Sequence, residues 1–161
     1  MIANKIQPIK CIGLIAIAIM TVIFLSGCSD SGCTNIFSDN YDEDAIKDDG
    51  SCILAREKFI GTFLVNENCE SGLDGYELDI YESDLYDNEV AIVNLYNVGG
   101  TVYAIIEEDF LEIPDQRELD SGAKYIGSGS IIENSLAISF SVQSYDGYVD
   151  NCTFAGVKLD D

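Results

Sequence analysis

A period-two alternation of apolar and polar residues, recurring through the second half of the chain, limits the possible folds more than any other feature. Tyr76, Leu78 and Ile80 alternate with Glu77 and Asp79. Leu136, Ile138, Phe140 and Val142 alternate with Ala137, Ser139, Ser141 and Gln143. Successive side chains of an extended backbone point to opposite faces, so each run offers one face to a core and one to water. Further strand-like runs are Phe59–Asn66, Val90–Leu95, Thr101–Glu107, Tyr125–Ile132, Asn151–Leu159 and a short Phe110–Ile113 ended by Pro114, which cannot donate to a ladder. Turn formers separate them at Asn97–Gly100, Glu108-Asp109, Glu133–Ser135 and Asp146-Gly147. The expected fold is all-β, an antiparallel meander of about seven or eight strands over residues 57–159. Such a sheet removes its edges by closing or by doubling over. A closed barrel is expected, with a β-sandwich as the alternative. One helical turn is expected near Pro114–Glu118.

The first residues have a different character. Lys5 and Lys10 are the only charges before Asp30, and Ile12–Leu25 is apolar apart from Gly13 and Thr21. That run suits the central helix of a signal peptide and is short for a bilayer span, which needs roughly 20 apolar residues. It ends in Leu25-Ser26-Gly27-Cys28, which resembles the lipobox of bacterial lipoproteins at all four positions. The resemblance implies a signal peptide over residues 1–27, acylation of Cys28, and a short lipidated tether over 28–32. Several acyl chains together hold a protein stably at a membrane. Ser29, standing where Asp would retain a lipoprotein in the inner membrane, implies the outer membrane by resemblance to Gram-negative sorting rules.

Of six cysteines, Cys11 leaves with the signal peptide and Cys28 takes lipid, so Cys33, Cys52, Cys69 and Cys152 remain. An even set in an exported chain reads as disulfides. Three pairings are open, and Cys33–Cys52 with Cys69–Cys152 is favoured. The first pair brackets one compact loop, and the second joins the start and end of the β-domain. In the chain-entropy model these closures contribute about 3 and about 4.5 kcal/mol. A four-thiolate zinc site would call for a close Cys-x-x-Cys pair, and none is present.

The chain carries 29 acidic and 8 basic residues, and signal cleavage removes two lysines and no acid. Such a charge repels nucleic acid and anionic membrane surfaces and favours cationic partners. Acids are dense in residues 33–52, where Asp39, Asp42, Asp44, Asp48 and Asp49 offer hard oxygen ligands for calcium, the one candidate cofactor. An EF-hand is excluded. With Asn40 as first ligand, Ala45 falls where Gly is needed and Ser51 where the bidentate Glu belongs. The competing reading is a disulfide-pinned loop whose Asp and Asn side chains cap turns.

This stretch, Gly32-Cys33-Thr34 … Asn40-Tyr41 … Ala45 … Asp48-Asp49-Gly50-Ser51-Cys52, resembles a cysteine-bounded module of surface and secreted Bacteroidota proteins. Farther along, Phe59-Ile60-Gly61-Thr62-Phe63 leading to Cys69 resembles the opening of small lipocalin-like lipoproteins of the same phylum. Val93–Asn97, Leu111–Pro114, Gly127-Ser128-Gly129 and the late Cys152 follow in the same order. That resemblance implies a closed barrel and no assigned activity. The tryptophan usual in the lipocalin opening is absent.

No histidine is present, which removes Ser-His-Asp and Cys-His catalysis and most zinc hydrolases. No Gly-rich phosphate loop occurs. The chain is read as a non-catalytic envelope lipoprotein, with two functional classes open. The favoured one is a binding module holding a small ligand or glycan in its barrel. The alternative is a structural or interaction protein whose barrel is filled by its own side chains, its partner another envelope protein. Gly127 and Gly129 fit either, as room for a ligand or as sites of close backbone approach. The tyrosines, Tyr76, Tyr81, Tyr86, Tyr96, Tyr103, Tyr125, Tyr145 and Tyr148, are expected at core edges and on strand surfaces.

The anchor is testable directly. Replacing Cys28 by Ser should abolish incorporation of labelled palmitate and move the protein from the membrane fraction to the soluble one. A Cys28→Ser chain that still takes up palmitate would contradict the lipidation site.

Overall fold

The computed structural model describes residues 30–159. The expected signal peptide over residues 1–27 and the expected lipidation site Cys28 therefore lie outside the described residues. Ten strands follow in chain order: β1 (Ser31–Gly32), β2 (Lys47–Asp48), β3 (Gly61–Cys69), β4 (Gly72–Glu82), β5 (Glu89–Val93), β6 (Thr101–Glu107), β7 (Phe110–Arg117), β8 (Lys124–Ile132), β9 (Ser135–Gln143) and β10 (Val149–Lys158). The pair β1–β2 is parallel and belongs to the N-terminal module, so Ser31 and Gly32, expected in the tether, are paired residues of that module.

β3 to β10 form a closed antiparallel barrel in which each strand pairs with its sequence neighbours and β10 returns to β3. The β10–β3 ladder runs from Cys152 opposite Cys69 to Lys158 opposite Phe63. A sandwich would leave two pairs of edges, and here there is none.

The alternation sorts side chains as expected. Phe63 and Val65 on β3, Leu78 and Ile80 on β4, and Leu136 and Ile138 on β9 point inward and are fully buried or nearly so. With their counterparts from the other strands they form one contiguous apolar cluster. Burying such side chains gives roughly 1.5–3 kcal/mol each before conformational entropy is subtracted.

The glycines of β8 are explained by close approach. A Cβ on Gly127 would lie 2.6 Å from the carbonyl oxygen of Ser139, and one on Gly129 would meet the carbonyl of Ala137 and lie 2.7 Å from Ile138 Cγ1. Backbone and side chains of β9 already fill the space that a ligand would need there.

One expectation fails. The stretch Pro114–Glu118 contains no helical turn, because β7 continues through Pro114 to Arg117 with a register shift between Ile113 and Gln116. Pairing of β6 with β7 is limited to Ile105–Glu107 against Phe110–Glu112. Beyond it the strands part, and the Gln116 carboxamide spans the gap like a peptide group. It accepts from the Tyr103 N–H at 2.9 Å and donates to the Tyr103 carbonyl at 2.6 Å. A short 3₁₀ turn lies elsewhere, at Ala55–Lys58, and Leu95–Asn97 forms a tight turn whose Tyr96 and Asn97 are left-handed.

The Ala55–Lys58 turn closes one end of the barrel. Phe59, fully buried, caps the core there. Arg56 is 8 % exposed, and its guanidinium donates to the carbonyls of Ser83 at 3.0 Å and Tyr86 at 2.8 Å and to Glu82 Oε2 at 3.2 Å. This tethers the N-terminal module to the β4–β5 loop.

Gly129→Val should lower the stability to urea by about 1–3 kcal/mol through overpacking. The neighbouring outward change Ser128→Ala should stay within about 0.5 kcal/mol. Equal, small effects at both positions would contradict the packing of β8 on β9.

Candidate functional site

The barrel end opposite the module holds an inward polar cluster. Alternation along β3 places Glu67 in phase with Phe63 and Val65, and along β10 it places Asp150 in phase with Cys152 and Phe154. Both acids are buried. The tyrosines of β4 and the β5–β6 loop meet them. Tyr76 Oη donates to Glu67 Oε2 at 2.6 Å and accepts from the Tyr96 N–H at 3.0 Å, while Tyr96 Oη donates to Asp150 Oδ2 at 2.8 Å. The Ser71 hydroxyl also donates to Asp150 Oδ2, and the Ser71 N–H donates to Oδ1 at 3.2 Å.

Tyr96 adopts φ 67°, between Asn94 at 70° and Asn97 at 52°. A left-handed tyrosine costs of order 1–3 kcal/mol and persists only where its surroundings dictate it. Here the two hydrogen bonds and an edge contact with Phe140, ring centroids 6.3 Å apart, hold it across the barrel mouth.

The environment sets the protonation. Burial, with the nearby charges of Asp74 and Asp150, pushes the Glu67 carboxyl up against the lowering bond from Tyr76. Burial opposes ionisation of Asp150 too, but the bonds from Ser71 and Tyr96 outweigh it and hold that carboxyl below its usual range. Burial raises Tyr76, Tyr96 and Tyr125, the last to about 12, so all three remain hydroxyl donors at neutral pH. Glu118 is lowered to about 2 by the backbone N–H groups of Asp120 and Ser121 and by the Ser121 hydroxyl, and so pins the β7–β8 loop.

Cys69 and Cys152 form a disulfide across the β3–β10 ladder, with Cα atoms 4.1 Å apart. Glu67, Cys69 and Cys152 are the one grouping of potential metal ligands among the described residues. Its two sulfurs are bonded to each other, not thiolates, so it does not fit a metal. The cluster has donors, acceptors and a protonatable acid but no activated nucleophile. Its chemistry is that of a polar plug. The sequence carried a sign of it, since Glu67 and Asp150 occupy core-phase positions of their strands, where acids are rarely buried unpaired.

The acidic module is held by its own disulfide, Cys33–Cys52, with Cα atoms 4.8 Å apart. The five aspartates singled out for calcium do not converge. Asp42 Oδ1 accepts from the Asp44 N–H at 3.0 Å, Asp48 Oδ1 from Gly50 at 2.7 Å and Asp49 Oδ1 from Ser51 at 3.0 Å. Asp39 instead pairs with Lys58, 2.9 Å away. One carboxylate oxygen each of Asp39, Asp42, Asp48 and Asp49 is turned to a local N–H or a lysine, the turn-capping role that short acids fill in tight loops, while Asp44 contributes only its backbone N–H. Asn40 does the same by accepting from the Ile53 N–H at 2.8 Å and donating to the Ser51 carbonyl at 2.7 Å.

Two hollows open on the outside of the barrel. One, about 880 Å³, separates the module from the β6–β7 hairpin. The other, about 1090 Å³, runs over the outward faces of β6 to β10, floored by small residues such as Ser128, Ala137 and Ser139. Ile105 and Glu107 line both.

No protein-family model matches this chain, and no curated protein matches it in sequence.

Glu67 gives the mouth a pH signature. Its folded pKa lies above the usual 4.5, so its contribution to stability is fully present below pH 4.5 and is lost as pH rises through the folded value. Glu67→Gln keeps an acceptor for Tyr76 and should abolish that loss in denaturant titrations above pH 4.5. Asp150, with its lowered pKa, contributes in the opposite sense, its stabilisation being lost as pH falls below 3.8. An unchanged profile above pH 4.5 in Glu67→Gln would contradict the buried position of Glu67.

Proposed function

We propose that this chain is a lipid-anchored, non-catalytic protein of the outer membrane that recognises a partner with its outer surface, its barrel acting as a filled scaffold. The observation that carries the reading is the barrel interior. Inward side chains form one contiguous core, and the β8 glycines are in contact with β9 instead of leaving a chamber. A small ligand or glycan held inside is correspondingly disfavoured, because an eight-stranded barrel has room for side chains or for one small ligand.

Both ends support the same reading. Arg56 and Phe59 close one, and the Glu67–Tyr76–Tyr96–Asp150 network closes the other. The hollows lie outside, where a macromolecule can reach them. The absence of histidine and the tied-up sulfurs support a non-catalytic role. The lipobox-like Leu25-Ser26-Gly27-Cys28 supports the anchor.

Native mass spectrometry of the full chain extracted from membranes should give the mass of the acylated polypeptide with nothing stoichiometric released on unfolding. A dansylated fatty acid should show no saturable blue shift with the purified protein. A retained small molecule, or saturable binding lost on Gly129→Val, would overturn the filled-scaffold reading.

A further inference from the structure

We propose that the cleft between the cysteine-pinned module and the β6–β7 hairpin docks an extended peptide segment of a partner protein bearing lysine or arginine beside apolar residues. This deepens, and rests on, the reading of the chain as an interaction module.

The cleft combines three features. Its module wall is apolar and uncovered, with Ile36 66 %, Phe37 39 % and Tyr41 45 % exposed. Its hairpin wall is acidic. Lys58 is the cation lining the cleft, and it is already held between Asp39 at 2.9 Å and Asp109 at 2.5 Å. Among the described residues, Glu107 and Glu108 pair with no cation. The third feature is a buried polar group without a partner. Ser38 is only 8 % exposed and lines the cleft, and its hydroxyl has no hydrogen-bond partner. An unmade bond at a buried hydroxyl is costly, and because the Ser38 oxygen is shielded from solvent, a docked peptide group would satisfy it only with a small shift of the cleft wall.

The hairpin beyond the cleft has matching chemistry. In the β6–β7 ladder Ile105 stands opposite Glu112 and Glu107 opposite Phe110, so two apolar and two acidic side chains form a checkerboard on the outer face. An extended peptide presents alternate residues to one surface. Basic and apolar side chains on such a strand would meet acids and apolar groups in turn. The excess of 29 acidic over 8 basic residues would steer a cationic segment toward this surface and make its association salt-sensitive.

The test uses the full chain in nonionic detergent, with fluorescence anisotropy of a short labelled peptide of alternating lysine and valine. Its acetyl-lysine form and spermidine serve as comparisons. The proposal expects saturable binding by the lysine peptide, weakened about tenfold by the double change Glu107→Gln with Glu108→Gln. Phe37→Ala should weaken it also, whereas Glu77→Gln with Asp84→Asn, which removes the same charge elsewhere, should change affinity less than about twofold. Three results would overturn the proposal: no saturable binding, equal weakening by the distant pair, or full displacement by spermidine at matched charge. None of these bears on whether the barrel interior is filled, which the mass measurement decides separately.

Discussion

The pairing of β10 with β3 is the contact on which the rest of this structure depends. Seven residue pairs, from Cys152–Cys69 to Lys158–Phe63, convert a meander with two raw edges into a ring with none. Closure forces every inward side chain toward a common axis, so the period-two pattern becomes a filled core. It also brings Glu67 and Asp150, far apart in sequence, into the same barrel mouth. The Cys69–Cys152 bond sits at that end of the ladder, where fraying would begin, and it closes a long loop whose entropy cost in the unfolded chain is greatest.

The two ends are sealed by different means, and the difference matters for recognition. At the mouth, carboxylates and tyrosines satisfy one another across the opening, at the cost of a left-handed Tyr96. At the other end a buried guanidinium and Phe59 join the barrel to a module too small to have a core of its own. The disulfide and the Asx turns give that module its shape, while Arg56 gives it a fixed position. The cleft beside it exists because the module is held against the barrel without covering the β6–β7 hairpin.

Much of the fold was legible in the sequence, for physical reasons. A strand with one buried face must alternate, so Tyr76–Ile80 and Leu136–Gln143 announced themselves. The structure extends the first expected strand to Cys69 and the second from Gly72 to Glu82, where polar residues mask the pattern near the turn. The Pro114 stretch was misread because proline normally ends a strand. Here a side chain, Gln116, takes over the missing ladder bonds, and no local pattern encodes that. The buried acids were overlooked because an isolated Glu or Asp in a strand reads as a surface residue. The period-two phase with Phe63 and Val65, and with Cys152 and Phe154, was the signal that places Glu67 and Asp150 on the inner face. The acid-rich loop posed the opposite difficulty, since the same aspartates can face a cation or their own backbone, and composition does not distinguish the two.

Hydrogen–deuterium exchange of the purified full chain tests the closed, filled barrel most directly. Closure requires the β3 and β10 amides along the Val65–Gly156 part of the ladder to be as protected as those of β9, with the weakest strand protection where β6 and β7 part near Tyr103. Fast exchange along β3 and β10, with the rest of the sheet protected, would mean that the sheet has two free edges and the barrel is not closed.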